Sequence, residues 1–137
     1  MDQQKGQICP VPPEHAVLLW PEIEPLLRRA LARDVGRYDA VDILAAILNR
    51  SMELWVYWQD RVEAVMVFRV QIYPRKRSCQ ILWVAGNHLS EWLPEFTKKI
   101  AEYAKSQRCH FVECGGRRGW ARVSDMRVTS TNYIQEM

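Results

Sequence analysis

No apolar run in this chain approaches the roughly 18 to 20 residues that a membrane-spanning helix needs. Residues 1–6, MDQQKG, are a polar leader with no apolar stretch of secretory length behind it. Nothing marks the chain for export or for a membrane, so cytosol, or an assembly made there, is the expected setting. Cysteine is sparse: Cys9, Cys79, Cys109 and Cys114 form no CxxC pair and no Cys/His pair at zinc-ligand spacing. That excludes the common zinc modules and predicts four reduced thiols used as small apolar fillers. A reactive thiol at Cys109 or Cys114 would need a neighbouring cation or base to form thiolate. No GxSxG, HExxH, P-loop or GxGxxG signature is present, which leaves hydrolase and nucleotide-binding readings without support, and no metal is expected. Charge of one sign is also scarce. Nineteen Lys and Arg against sixteen Asp and Glu give a net charge of only +3, mixed along the chain, so nucleic acid is not called for.

What is present suits one soluble domain. A length of 137 residues closes a single core, and 48% apolar with 26% charged residues is ordinary globular usage. One domain over 1–137 is therefore expected.

Residues 7–11 read as a short strand stopped by Pro12 and Pro13. Pro13 and Pro21 each suit the first turn of a helix. From Pro21 onward Ile23, Leu26, Leu27, Ala30 and Leu31 recur at helical spacing, with Gly36 placed to cap the run. A second helix starts at Asp39, with Asp42 three residues on, and carries Val41, Leu44, Ile47 and Leu48 as its expected buried face. The period then changes from 3.6 to 2. Met52, Leu54, Val56 and Trp58 alternate with Glu53, Trp55, Tyr57 and Gln59, and after Gln59-Asp60-Arg61 the alternation resumes from Val62 to Tyr73, predicting a hairpin. Pro74-Arg75-Lys76-Arg77 turns into a third strand over 79–85, apolar on both faces apart from Gln80 and expected to be the most buried. After Gly86 and Asn87, Trp92, Leu93, Phe96, Ile100, Tyr103 and Ala104 line one face of a helix. Pro94 places its start near Ser90. A strand over 110–114 follows, parallel to the third meander strand through a right-handed crossover. A Gly-rich turn over 115–119, a short helix around Trp120 to Val123 and a last strand over 128–135 complete the expectation.

This order of elements resembles the GNAT superfamily of acyl-CoA-dependent N-acyltransferases over nearly the whole chain. The pieces 38–48, Tyr73-Pro74-Arg75-Lys76-Arg77, Glu91-Trp92-Leu93-Pro94 and 116–123 are similar to those of small GNAT-like proteins of tailed bacteriophages and prophages. The resemblance implies an α+β (mixed α/β) fold. Its sheet is central and mostly antiparallel, six- or seven-stranded, with helices on both faces.

It also implies a site. In the superfamily, acyl-CoA lies where the fourth and fifth strands splay apart, with its pyrophosphate on backbone amides at the next helix, where free N–H groups and the helix dipole favour an anion. The corresponding residues here are Val84, Ala85, Gly86, Asn87, His88, Leu89 and Ser90. They depart from the usual loop, having one glycine and no Arg or Gln at the head. The usual proton donor is a tyrosine on the short helix after the fifth strand, where this chain has Trp120, Arg122 and Ser124; the nearest tyrosine, Tyr133, is on the last strand. Glu53, Glu63 and Glu113 are candidate bases, each equally readable as a solvated carboxylate, and no catalytic residue is assigned.

These departures imply a phage-type GNAT-fold protein without competent acyl transfer. Its role would be a virion structural or assembly component, or a binder of a host protein, located in the virion or host cytoplasm, with oligomer formation left open. The alternative is an acetyl-CoA-dependent N-acetyltransferase acting on an amine. Six tryptophans suit either a protein interface or a sheet covered on both faces, which would bury both Trp55 and Trp58. His15, His88 and His110 show no partner in the sequence. The basic turns at 75–77 and 117–118 read as solvated residues, or as phosphate contacts if they met.

Overall fold

The structure is a computed structural model that describes residues 6–115, 127, 129 and 133–137. The elements run β1 (Gln7–Pro10), α1 (Pro13–Leu31), α2 (Ala40–Leu48), β2 (Glu53–Trp58), β3 (Val62–Ile72), β4 (Arg77–Gly86), α3 (Leu89–Ser106) and β5 (Phe111–Cys114). The sheet order is β1-β2-β3-β4-β5, with β1 to β4 antiparallel and β4 parallel to β5. The fold is α+β, as expected, with five strands among the described residues rather than six or seven. The expected turn and short helix over 116–123 lie outside the described residues. So does part of the last strand over 128–135, of which Thr129 and Tyr133 to Gln135 are described, without strand structure and exposed.

Helices cover both faces of the sheet. Alternation along β2 and β3 sends Trp55, Tyr57, Ala64, Met66 and Phe68 towards Trp92, Phe96 and Ile100 of α3. The opposite set, Leu54, Val56, Val65 and Val67, packs on Ile23 and Leu27 of α1 and Ile43 and Ile47 of α2. On the α3 side Trp55 meets Phe68, Phe96 and Tyr103 edge-on at centroid distances of 4.8, 6.2 and 5.7 Å, a geometry that adds to simple burial. Trp55 is buried, but Trp58 is 39% exposed. Trp58 is the last residue of β2, paired with Gln7 and Val62 just past a register shift against β3.

Several sequence expectations shift for physical reasons. α1 begins at Pro13 rather than Pro21, and Pro21 and Pro25 lie inside it. Both prolines are on the exposed side, so the carbonyls that lose an amide partner face water, while Ile23, Leu26 and Leu27 bury opposite. Gly36 does not cap α1, which ends at Leu31; it turns the link to α2 with φ of 86°. The Asp39–Asp42 capping box is present as expected, with the Asp39 amide donating to Asp42 Oδ2 at 2.8 Å. The buried face of α2 is Ala40, Ile43 and Ile47, whereas Val41 and Leu48 are exposed. Every residue of α2 except Asp42 is apolar, so composition gave no phase and packing on α1 and the sheet set it. Pro94 stands at the sixth position of α3, beyond its first turn. The most buried strand is central β3, not β4, because β5 covers only the first half of β4.

Candidate functional site

The β4–β5 ladder has four rungs, Ser78–Phe111, Cys79–Val112, Gln80–Glu113 and Ile81–Cys114. β4 then runs five residues further, paired only with β3 among the described residues. Opposite β3, Trp83 pairs with Val67 and Ile81 with Phe68, which leaves Leu82 as an extra residue. A bulge bends and twists the strand that carries it. Leu82 follows directly on the last β4–β5 rung, so β4 bends where β5 stops. Past that rung one edge of 82–86 has no strand partner among the described residues.

β4 leads from this opening into α3. Val84 packs on the α3-side core and Ala85 on the α1/α2 side, both half-buried. Gly86 has φ of 150° and faces β3, where a β-carbon would lie 2.5 Å from the Glu63 carbonyl oxygen. The missing side chain lets β4 lie close against β3 at this point. Asn87 is held at three points. Its amide donates to the Glu63 carbonyl at 3.0 Å, its carbonyl accepts from Trp92 Nε1 at 2.6 Å, and its Oδ1 accepts from Arg29 Nη1 at 3.5 Å. His88 is the N-cap of α3 in the left-handed conformation, with Nδ1 3.9 Å from Glu91 Oε1. Leu89 and Ser90 open the helix exposed, and among the described residues no acceptor meets their amides.

Sequence reasoning missed Arg29, Arg61 and Trp92 at this corner. Arg29 comes from α1, 58 residues before Asn87, a spacing that no local pattern reports. Arg61, in the β2–β3 turn, donates from Nε to Glu63 Oε1 at 3.0 Å. This bond, with help from the Asn87 side chain and His88, holds the buried Glu63 carboxyl below the usual carboxylate range.

The three candidate bases are not brought together. Glu63 is paired and held ionised, which makes it a weak base. Glu113 accepts from Tyr73 Oη at 3.0 and 2.8 Å and from buried Ser78 Oγ, and the resulting bond raises the Tyr73 hydroxyl above its usual range. Its carboxylate points back along β4, away from the opening. Burial raises the Glu53 carboxyl, but Glu53 stands opposite Phe68, which stands opposite Ile81, two strands from the opening. Tyr133 is 91% exposed.

Other expectations resolve plainly. Burial pushes the Cys79 thiol up to about 12 and raises Cys114, as fits filler cysteines. His110 has a partner, since its Nδ1 accepts from the Arg77 amide at 3.1 Å. Arg77 is not a solvated turn residue: it starts β4, half-buried, with Nε buried and without a partner among the described residues. Arg117 and Arg118 lie outside the described residues. Among the described residues there is no metal-ligand cluster and no helix long and apolar enough to cross a membrane.

No family model and no curated protein sequence matches the chain. Solved structures do. A ribosomal-protein-alanine N-acetyltransferase from Brucella melitensis biovar Abortus 2308 matches with a TM-score of 0.71 at 14% identity, over 96% of this chain and 99% of that one. A probable acetyltransferase matches with 0.71 at 11% identity, over 96% and 98%. The chain has a GNAT-like fold. An aminoglycoside acetyltransferase from an uncultured soil metagenomic sample, with a TM-score of 0.64 at 10% identity over 96% and 97%, shares the GNAT architecture.

Proposed function

We propose that this GNAT-fold chain binds an acyl-CoA thioester in the opening between β4 and β5 and transfers the acyl group to an amine. The observation that carries the reading is the Leu82 bulge placed directly after the last β4–β5 rung, past which β4 has one edge without a strand partner among the described residues and leads into α3. An extended ligand with amide groups can pair with that edge as a strand would. Its phosphates would meet the amides of Leu89 and Ser90 and the positive end of α3, with Arg29 alongside. The fit is narrower than a glycine-lined cradle, because Gly86 and the Asn87 amide are already committed to β3.

In the transfer, the amine lone pair forms the C–N bond, the C–S bond breaks, and the thiolate leaves while the amine gives up a proton. Holding the two reactants in line supplies much of the rate of such a step. No described side chain is assigned the proton. Acetyltransferase names among the structural neighbours favour this reading over the virion or assembly role, which reverses the order in which the sequence placed them.

Calorimetric titration of acetyl-CoA and CoA into the protein tests binding, and thiol release against an amine panel tests transfer. Micromolar binding with amine-dependent thiol release is expected. No heat up to millimolar ligand would overturn the proposal and return attention to a protein partner.

A further inference from the structure

α2 is apolar at every position but Asp42, yet the fold buries only one side of it. Ala40, Ile43 and Ile47 are in the core, while Val41 is 66% and Leu48 45% exposed, with exposed Ala45 between them. An outer side with a single polar residue, Asp42, leaves an apolar stripe of Val41, Ala45 and Leu48 facing water, which a covering partner would remove. The exposed set recurs at four and then three residues, the spacing of a seam between two helices. The small Ala45 at its middle lets a second backbone approach closely.

The charges beside the seam say what covers it. Asp39 and Asp42 stand exposed at its N-terminal end, and Arg50 stands exposed just past its C-terminal end. A partner recognised by charge would then need a base at one end and an acid at the other, in reverse order. α2 itself, turned end for end, has that arrangement.

We infer that α2 forms an isologous interface in which two copies of this chain pair antiparallel about a two-fold axis at Ala45. Val41 of each copy then packs beside Leu48 of the other, and Asp39 and Asp42 lie beside the partner's Arg50. The helix dipoles oppose one another, which also favours the antiparallel pair. Nine residues make a helix only about 13 Å long, so the interface falls at the small, weak end of specific contacts and the dimer dissociates in the micromolar range.

Sedimentation equilibrium of the full chain, from low micromolar to near-millimolar concentration, tests the pairing. A reversible monomer–dimer equilibrium is expected, and Leu48→Glu should raise its dissociation constant at least about tenfold by burying unpaired carboxylates. Its thermal midpoint should not move, because Leu48 is exposed in the single chain. Ala45→Cys, on the axis, should give a covalent dimer under mild oxidation that the unmodified chain, with its own four cysteines, does not give. A chain monomeric at every concentration overturns the inference and leaves the seam to a different partner. So does either variant behaving like the unmodified chain. Neither result bears on acyl-CoA binding, which uses another part of the fold.

Discussion

Gly86 lies so close to Ala64 across the β3–β4 ladder that a β-carbon there would be inside contact distance of both the Ala64 Cα and Cβ. The glycine therefore closes the sheet at the mouth of the opening and carries a φ of 150° that side chains rarely adopt. Gly86→Ala meets both obstacles, each of order 1–3 kcal/mol. A loss of about 3 kcal/mol or more in urea unfolding is expected, with acyl-CoA binding lost only because the fold is. A loss below about 1 kcal/mol would show that the two strands can part without cost.

Ser90 gives the cleaner probe of the ligand. It is exposed in the first turn of α3, where an acidic side chain favours the helix dipole. Ser90→Glu should leave the thermal midpoint unchanged or slightly raised, while its charge repels a phosphate at the same amides. The dissociation constant for acetyl-CoA should rise at least about tenfold, equivalent to about 1.4 kcal/mol. An unchanged affinity in a stably folded variant would place the phosphates elsewhere.

Glu63 makes stability depend on acid. Its carboxyl is held below the ordinary value of 4.5, first by the Arg61 hydrogen bond. The contribution of the ionised pair is thus complete above about 4.5 and fades as pH falls through the lower folded value. Arg61→Ala should cost about 1 kcal/mol at neutral pH, since the arginine is largely exposed and the bond partly screened. It should also flatten the acid limb of a urea-midpoint profile. Parallel acid limbs for the two proteins would count against the pair.

Tyr103 sets the opposite limb. Burial, with the Glu53 charge second, pushes its hydroxyl up to about 12 from the ordinary 10. Its neutral form contributes fully below pH 10, and the contribution is lost as pH rises through about 12. Tyrosinate absorbance should show a late step near pH 12 that Tyr103→Phe removes, together with a shallower loss of stability over that interval. Tyr57 and Tyr73 also titrate above their usual range, so the variant removes only the last part of the rise.

Local rules carried much of the architecture. The change of period after Met52 located the hairpin, and Gln59-Asp60-Arg61 is its turn, closed by the Gln59 amide on the Arg61 carbonyl at 2.9 Å. The Asp39–Asp42 box located the start of α2, and the apolar face of α3 was readable because charged residues occupy its other side. A strand, a crossover helix and a strand implied the parallel β4–β5 pair. All of these signals act within one element or between neighbours in the chain, so the sequence alone determines them.

The tertiary structure decided what depends on distant partners. Pro21 and Pro25 sit inside α1 because the core binds its other face, a tertiary gain that outweighs two missing hydrogen bonds. The buried side of α2 could not be read from nearly uniform apolar residues. The Leu82 bulge shows no local mark, since it exists only in the register between Val67 and Phe68 on β3 and Ile81 and Trp83 on β4. The close approach of Gly86 to Ala64 depends on the β3–β4 register, which no local pattern reports. The corner of Arg29, Arg61, Asn87 and Trp92 is assembled from three separate parts of the chain, and only packing brings α1, the β2–β3 turn and the start of α3 to one place.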